Sequence, residues 1–283
     1  MTRFLIRYGE IALKSDWVRR KFQDRLVANI QDYFLHRGIQ CMMRTEYGRI
    51  FLDTDEIPEA SGILGRIFGI TSFSPVETTT SGLEDIAQLA IEKFKPQLKP
   101  GTSFAVRARR SGNHKYSSPE LASYVGGEIQ SSLEGLDVDL DEPDVQVFIE
   151  VRENRAYVFG GRDLGPGGMP LGTQGVVVAA ITSEEGIAGA WLMMKRGCKV
   201  HAAHFNHPEI IQPLKSWDIR LKSYALDDGT ELDSIMENSS AQGFVTTWDE
   251  RDTCNLRTNV PVFHPTIGLT KEELDDLLKR IGR

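Results

Sequence analysis

The run Val176-Val-Val-Ala-Ala-Ile181 is the strongest constraint on how this chain folds. It has no polar residue and no alternation, which suits a short parallel strand covered by helices on both faces. The sequence after it keeps that rhythm. A helix over Gly186–Arg196, strands over Val200–Phe205 and Ile219–Leu226, a helix near Glu231–Asn238 and a strand over Gly243–Thr247 follow one another. A capping box, Thr270-Lys-Glu-Glu273, opens a last helix with Leu274, Leu277, Leu278 and Ile281 on one face. Such alternation predicts a doubly wound parallel α/β sheet. Met193 and Met194 belong to its core. His204 and His207 flank the end of the second strand and are expected to face solvent. With no further ligands at reachable spacing, no metal site is expected.

Upstream, Gly165-Pro-Gly-Gly-Met-Pro-Leu-Gly172 reads as a linker, and the pattern before it differs. Phe4, Ile6 and Tyr8 alternate as in a strand, and Val18, Phe22, Leu26, Ile30 and Phe34 mark one face of a helix. Ser15 or Asp16 caps that helix and Gly38 stops it. Gln40–Arg44 and Arg49–Asp53 pair around a Tyr47-Gly48 turn, and a helix over Ile57–Phe68 completes a β-α-β-β-α unit. The middle segment begins near Gly69, with a helix over Leu83–Phe94 and a break at Lys99-Pro-Gly101. A strand Phe104–Ala108 runs into Arg109-Arg110, a helix covers Pro119–Leu133, and strands Val145–Val151 and Ala156–Phe159 pair around Asn154.

Hydrophobic residues are 40% of the 283 and charged residues 26%, which excludes a mainly disordered, collagen-like or disulfide-dense chain. The net charge of −7 argues against coating nucleic acid through bulk charge. It hides an asymmetry: residues 1–50 are net +5, residues 201–250 net −6. Three cysteines, Cys41, Cys198 and Cys254, lie far apart without CxxC spacing, as expected in a reducing compartment. Charge comes too early at the N-terminus for a signal peptide, and no stretch suits a membrane helix. A cytoplasmic protein is expected.

Six stretches in order resemble the tRNA 4-thiouridine synthetases, or tRNA sulfurtransferases. They are Arg7-Tyr-Gly-Glu-Ile-Ala-Leu-Lys14, Arg44-Thr-Glu-Tyr-Gly-Arg-Ile50-Phe51, Phe68-Gly-Ile-Thr-Ser-Phe-Ser-Pro75-Val76, Phe104-Ala-Val-Arg-Ala-Arg-Arg110, Pro119-Glu120 with Gly126, and Gly165-Pro-Gly-Gly-Met-Pro170-Leu-Gly-Thr. The resemblance implies an α/β and α+β architecture. An N-terminal ferredoxin-like domain spans 1–57, a THUMP RNA-binding domain 58–165 and a PP-loop ATP-pyrophosphatase-like domain 172–283. No rhodanese segment is present in this sequence.

In that family the THUMP domain grips the tRNA acceptor end. The matching candidates are Arg107, Arg109 and Arg110 at the strand end, then Lys115 and Tyr116 as a phosphate contact and a stacking face. Lys14, Arg19, Arg20 and Lys21 extend the track along the duplex. The plainer alternative is that strand-end arginines solvate a sheet edge or pair with acids.

The family's Ser-Gly-Gly-x-Asp-Ser loop, whose glycines let backbone N–H groups close on pyrophosphate, is not kept. Trp191-Leu-Met-Met-Lys-Arg-Gly197 fixes the register, and the six positions read Ile181, Thr182, Ser183, Glu184, Glu185 and Gly186. Two carboxylates fall where a triphosphate belongs, and a like charge at ~4 Å opposes it by about 1–4 kcal/mol. Val245-Thr-Thr-Trp-Asp-Glu250 stands in place of a Val-Thr-Gly-Glu loop. Cys254 is a lone thiol without a second to resolve a persulfide. Catalytic residues are therefore unassigned.

Three functions stay open. The first is a tRNA-binding family member whose ATP-dependent adenylation is lost, with the third domain kept as a scaffold or docking surface. The second is an active or partner-assisted 4-thiouridine sulfurtransferase, using ATP and magnesium through an unusual loop and an external sulfur donor. In the family, that reaction adenylates uridine O4 and displaces AMP with sulfur. The third is a small-molecule-binding α/β domain that has abandoned RNA. The implied partner is tRNA, with a homodimer, a separate sulfur carrier or a PP-loop protein as alternatives; no membrane and no cofactor are expected except ATP and magnesium under the second.

Overall fold

The computed structural model describes residues 1–9, 15–46, 48–205, 208–227, 231–247 and 260–282. In chain order, β1 (Thr2–Tyr8) and α1 (Asp16–His36) precede β2 (Met42–Glu46), β3 (Arg49–Thr54), α2 (Ile57–Leu64) and β4 (Ile70–Thr80). Next come α3 (Leu83–Phe94), β5 (Ser103–Ser111), α4 (Ser118–Ser132), β6 (Asp137–Val138), β7 (Val145–Arg152), β8 (Arg155–Phe159) and β9 (Asp163–Leu164). The last third holds β10 (Val176–Ile181), α5 (Glu184–Lys195), β11 (Lys199–Phe205) and a 3-10 turn into α6 (Gln212–Lys215). It closes with β12 (Lys222–Leu226), α7 (Leu232–Ser239), β13 (Phe244–Val245), β14 (Val262–Phe263) and α8 (Lys271–Ile281). Two compact units result: Met1–Arg7, Cys41–Ile57 and Ser72–Asp163 form the first, and Tyr8–Gln40, Pro58–Thr71 and Leu164–Arg283 the second.

The first unit is built on strands in the order β2-β3-β1-β4-β8-β7-β5-β6, with β9 against β4. Ile86, Ala90 and Phe94 of α3 and Leu121, Val125 and Ile129 of α4 recur at helical spacing. They bury one sheet face with Phe104, Val147, Ile149, Val151 and Val158. A capping box between Ser117 and Glu120 starts α4. The other face carries Leu5, Val76, Phe159 and a stacked Phe51–Tyr157 pair with centroids 4.9 Å apart. β5 runs parallel to β7 along its whole length from Phe104. β6 pairs with it only at Ser103 and Phe104, so the rest of β5 has one neighbour strand among the described residues.

The second unit holds a five-stranded parallel sheet in the order β12-β11-β10-β13-β14. The continuous apolar run does what its composition predicts. Val177, Ala179 and Ile181 pack with Trp191 and Met194 of α5, while Val178 and Ala180 pack with Leu232, Ile235 and Met236 of α7. Trp191 is 1% exposed and meets the rings of Phe68 and Trp217 edge-on at 5.3 and 5.2 Å. The Trp217 indole N–H donates to the Ile281 carbonyl at 2.9 Å, which ties α8 to the same core.

Several limits differ from the sequence expectation. β5 continues to Ser111, so Arg109 and Arg110 lie inside the strand rather than at its exit. α5 starts at Glu184, α2 stops at Leu64 and β12 begins at Lys222. β4 has no sequence counterpart, because its Ser- and Thr-rich half lacks apolar alternation. His204, expected at the surface, is 4% exposed, since it sits on an interior strand between Ile181 and Ala225. The glycine-rich linker is docked: the Met169 N–H donates to the Lys195 carbonyl, and a Cβ on Gly168 would stand 2.1 Å from that oxygen. His207, Cys254, Tyr47 and Lys14 lie outside the described residues. Among those described, no helix is long and apolar enough to cross a membrane.

Trp191→Ala is expected to cost about 3–5 kcal/mol, because a large ring is removed from a packed site. Urea unfolding measures this directly, and a loss below about 1 kcal/mol contradicts the packing described.

Candidate functional site

Strand alternation sorts the side chains of β5 and β7. Phe104, Val147 and Ile149 turn to the helices, so Arg107, Arg109, Phe148 and Glu150 share the opposite face. Register pairs Arg109 with Glu150. Glu150 is 4% exposed and binds three guanidiniums: Arg7 Nε at 3.3 Å, Arg49 Nε at 3.0 Å and Arg152 Nη2 at 2.6 Å. Burial pushes its carboxyl upward, but Arg49, Arg152 and Arg7 outweigh this and hold it below the ordinary glutamate value. Burial lowers the Arg7 guanidinium to about 10, so it stays charged at neutral pH. Arg7 also donates to Ser74 Oγ at 3.1 Å and lies over the Phe159 ring at 4.8 Å. Arg162 lies over Phe148 at 5.1 Å. One carboxylate against this many guanidiniums leaves the face positive.

The sequence candidates on β5 and in the loop after it fall on and beside this face. Arg109, Arg110 and Lys115 are exposed. Arg110 points to the other side of the strand from Arg109, and its Nη1 donates to the Gly112 carbonyl at 3.1 Å. Arg107 donates to the Leu140 carbonyl, which fixes its guanidinium near the strand edge. Tyr116 is partly spoken for: its hydroxyl donates to the Ser81 carbonyl at 2.6 Å and its ring stacks with His114 at 5.4 Å. His114, half-buried like Tyr116, has its Nε2 3.1 Å from the Ser111 carbonyl, and no sequence pattern singled it out. Arg19, Arg20 and Lys21 lie exposed in the first turns of α1. Arg19 is bound to Asp16 at 2.6 Å and Lys21 lies over Trp17 at 5.5 Å. Arg49, Arg152 and Arg162 were missed; the Glu150-Val-Arg152 alternation could have flagged Arg152 alone.

In the second unit the strand order reverses between β10 and β13, and the crevice beyond their carboxyl ends is where open α/β sheets bind ligands. The six loop positions take this form: Ile181 ends β10 and is 1% exposed, Thr182 and Ser183 make the turn, and Glu184, Glu185 and Gly186 are the first turn of α5. The Ser183 hydroxyl accepts the Gly186 N–H at 3.3 Å, so the helix caps itself. Thr266 donates to Glu185 at 2.6 Å. Gly186 serves packing, since a Cβ there would stand 3.2 Å from the Ala180 carbonyl oxygen and the Ile181 Cα. One amide of this helix start is therefore taken by its own cap, and two carboxylates stand in its first turn. Thr246 and Thr247 at the end of β13 are each 3% exposed. Among the described residues, Thr246 Oγ1 and His204 Nδ1 are buried without a hydrogen-bond partner. No cluster of three or more His, Cys, Asp or Glu that could hold a metal occurs among them.

Residues 3–74 match the ThiI ferredoxin-like domain and residues 81–159 the THUMP domain. With the parallel sheet that follows, the chain combines a ferredoxin-like domain, a THUMP domain and a PP-loop-like domain. It is 30% identical to the probable tRNA sulfurtransferase of Methanothermobacter thermautotrophicus, over 98% of this chain and 84% of that protein. The corresponding protein of Methanosarcina mazei is 31% identical over 98% and 82%. The chain belongs to the tRNA sulfurtransferase family. Among solved structures, PH1313 from Pyrococcus horikoshii superposes with a TM-score of 0.86 at 26% identity, covering 100% of both chains. A 4-thiouridine synthetase in complex with RNA and ATP superposes at 0.78 and 22% identity, over 100% of this chain and 85% of that one.

Glu150→Gln is expected to destabilise the fold by about 3–5 kcal/mol at pH 7, because it strips three buried or half-buried guanidiniums of their carboxylate. A carboxyl held below its unfolded value stabilises the fold above that value, and the contribution fades as pH falls through the folded one. Urea unfolding from about pH 6 down to pH 3 should therefore show a shallower acid decline in Glu150→Gln than in the parent. Parallel declines contradict the role given to Glu150.

Proposed function

We propose that this chain binds tRNA through the arginine-bearing edge of β5 and that ATP-dependent adenylation has been lost. The observation that carries the reading is the open stretch of β5 and the loop after it, where Arg109 and Arg110, then Lys115, stand exposed beside a face already rich in guanidiniums. Arginine forks suit phosphates and stack on unpaired bases, which fits an RNA acceptor end. The RNA held by a fold neighbour supports the same assignment. A THUMP domain over 58–165, between a ferredoxin-like domain over 1–57 and a PP-loop-like domain over 172–283, is the organisation that goes with it. The self-capped start of α5, with Glu184 and Glu185 beside it, supports the loss of adenylation.

Joint replacement Arg109→Ala/Arg110→Ala should weaken tRNA binding about tenfold and lower the slope of log affinity against log salt by about two. Filter binding at several salt concentrations measures both quantities. Unchanged affinity and slope would remove RNA from this edge.

One observation favours a second reading, an active or partner-assisted sulfurtransferase. Thr246 Oγ1 and His204 Nδ1 are buried polar atoms at the crevice end of the sheet, without partners among the described residues. Such atoms can be completed by a polar ligand. A magnesium-ATP titration, with and without tRNA, separates the readings: adenylation lost predicts no saturation at millimolar ATP. Affinity abolished by Thr182→Ala/Ser183→Ala would establish the second.

A further inference from the structure

At the amino ends of the parallel strands, opposite the crevice, lies a cavity of about 390 Å³. That volume falls in the range of small-molecule sites. Its rim is cationic. Lys199 opens β11 and Lys222 opens β12; Arg25 and Arg220 complete the wall. Register places Lys222 beside His201, and alternation puts Lys199, His201 and Lys222 on one face of the sheet. The acids facing them are Asp32, bound to Arg220 at 2.7 Å, and Asp218, which accepts the Arg220 backbone N–H at 2.9 Å. Among the described residues, Arg25, Lys199 and Lys222 form no ion pair. Four cations against two carboxylates, one already paired, leave the cavity attractive to an anion.

The interior adds two requirements. Trp217 and Phe68, 4% and 2% exposed, form an aromatic wall. The Tyr33 side chain also lines the cavity at 8% exposure, and its O–H finds no acceptor among the described residues. A buried donor without an acceptor is costly, and a ligand acceptor would relieve it. His201, 7% exposed, titrates below the ordinary histidine value because of burial, then Lys222 and Lys199. It is neutral at pH 7 and can hydrogen-bond a ligand through a ring nitrogen. We infer that this cavity binds a small phosphate monoester with an aromatic body, its phosphate on Lys199, Lys222 and Arg25 and its ring against Trp217. The site is separate from both the β5 edge and the crevice, and does not depend on the function proposed for either.

The test is calorimetric titration of the intact chain at pH 7 with phenyl phosphate, inorganic phosphate and phenol. Phenyl phosphate should saturate one site, bind more tightly than inorganic phosphate, and outcompete phenol by at least about tenfold. Lys199→Gln/Lys222→Gln changes only exposed rim charges and should weaken phenyl phosphate at least about tenfold with thermal unfolding unchanged. Tyr33→Phe should weaken it about threefold or more, and Thr182→Ala/Ser183→Ala should leave it unaltered. No saturation by phenyl phosphate at millimolar concentration would overturn the inference. So would an affinity that survives the double lysine change, or one lost in the Thr182/Ser183 variant, which places the ligand at the other end of the sheet.

Discussion

Glu150 is a carboxylate buried in the middle of a sheet, and it could not stay ionised there without the guanidiniums around it. Arg7, Arg49 and Arg152 come from three different strands, β1, β3 and β7, so the ion cluster also fixes how those strands meet. The dependence runs both ways. The carboxylate holds the arginines in set orientations, and their excess positive charge is what the exposed residues of β5 extend toward solvent. Asp53 repeats the device at smaller scale by binding Arg3 at 2.7 Å and Arg44 at 3.1 Å. Positive charge in the first unit is therefore organised by a few acids and is not the sum of loose lysines. That explains how a chain of net charge −7 can present a basic face.

In the second unit the sheet core and the strand ends answer to different demands. The continuous apolar run of β10 and the Trp191 cluster demand nothing of the turn at Thr182-Ser183, so the sheet does not depend on that turn's composition. The turn leads into an ordinary helix start, with a serine cap and acids in the first turn that suit the helix dipole. The same acids that stabilise α5 disfavour an anionic ligand there.

Legibility in the sequence followed the strength of each local signal. Val176–Ile181 and Leu83–Phe94 were readable to the residue, because apolar runs and helical spacing need no partner to be recognised. β4 was invisible, since Thr78, Thr79 and Thr80 are held by pairing with β8 rather than by burial. His204 was misplaced because exposure depends on which strands flank β11, which only the topology decides. The motif singles out Arg107, Arg109 and Arg110, which the structure places on β5. Arg49 beside them is not singled out, because Glu150 gathers it from a segment 101 residues away. The cavity around Tyr33 and Lys222 was likewise unreadable, since it joins α1 to the starts of strands nearly 200 residues away.

The claim on which the account rests is that tRNA is bound while the adenylating step is gone. Isotope exchange between pyrophosphate and ATP reports adenylation directly, before any sulfur is needed. With intact chain, magnesium, ATP and saturating tRNA, the account predicts exchange no faster than in the absence of protein, while tRNA remains bound in the same mixture. Exchange that requires both the chain and tRNA, and disappears in Thr182→Ala/Ser183→Ala, would contradict it.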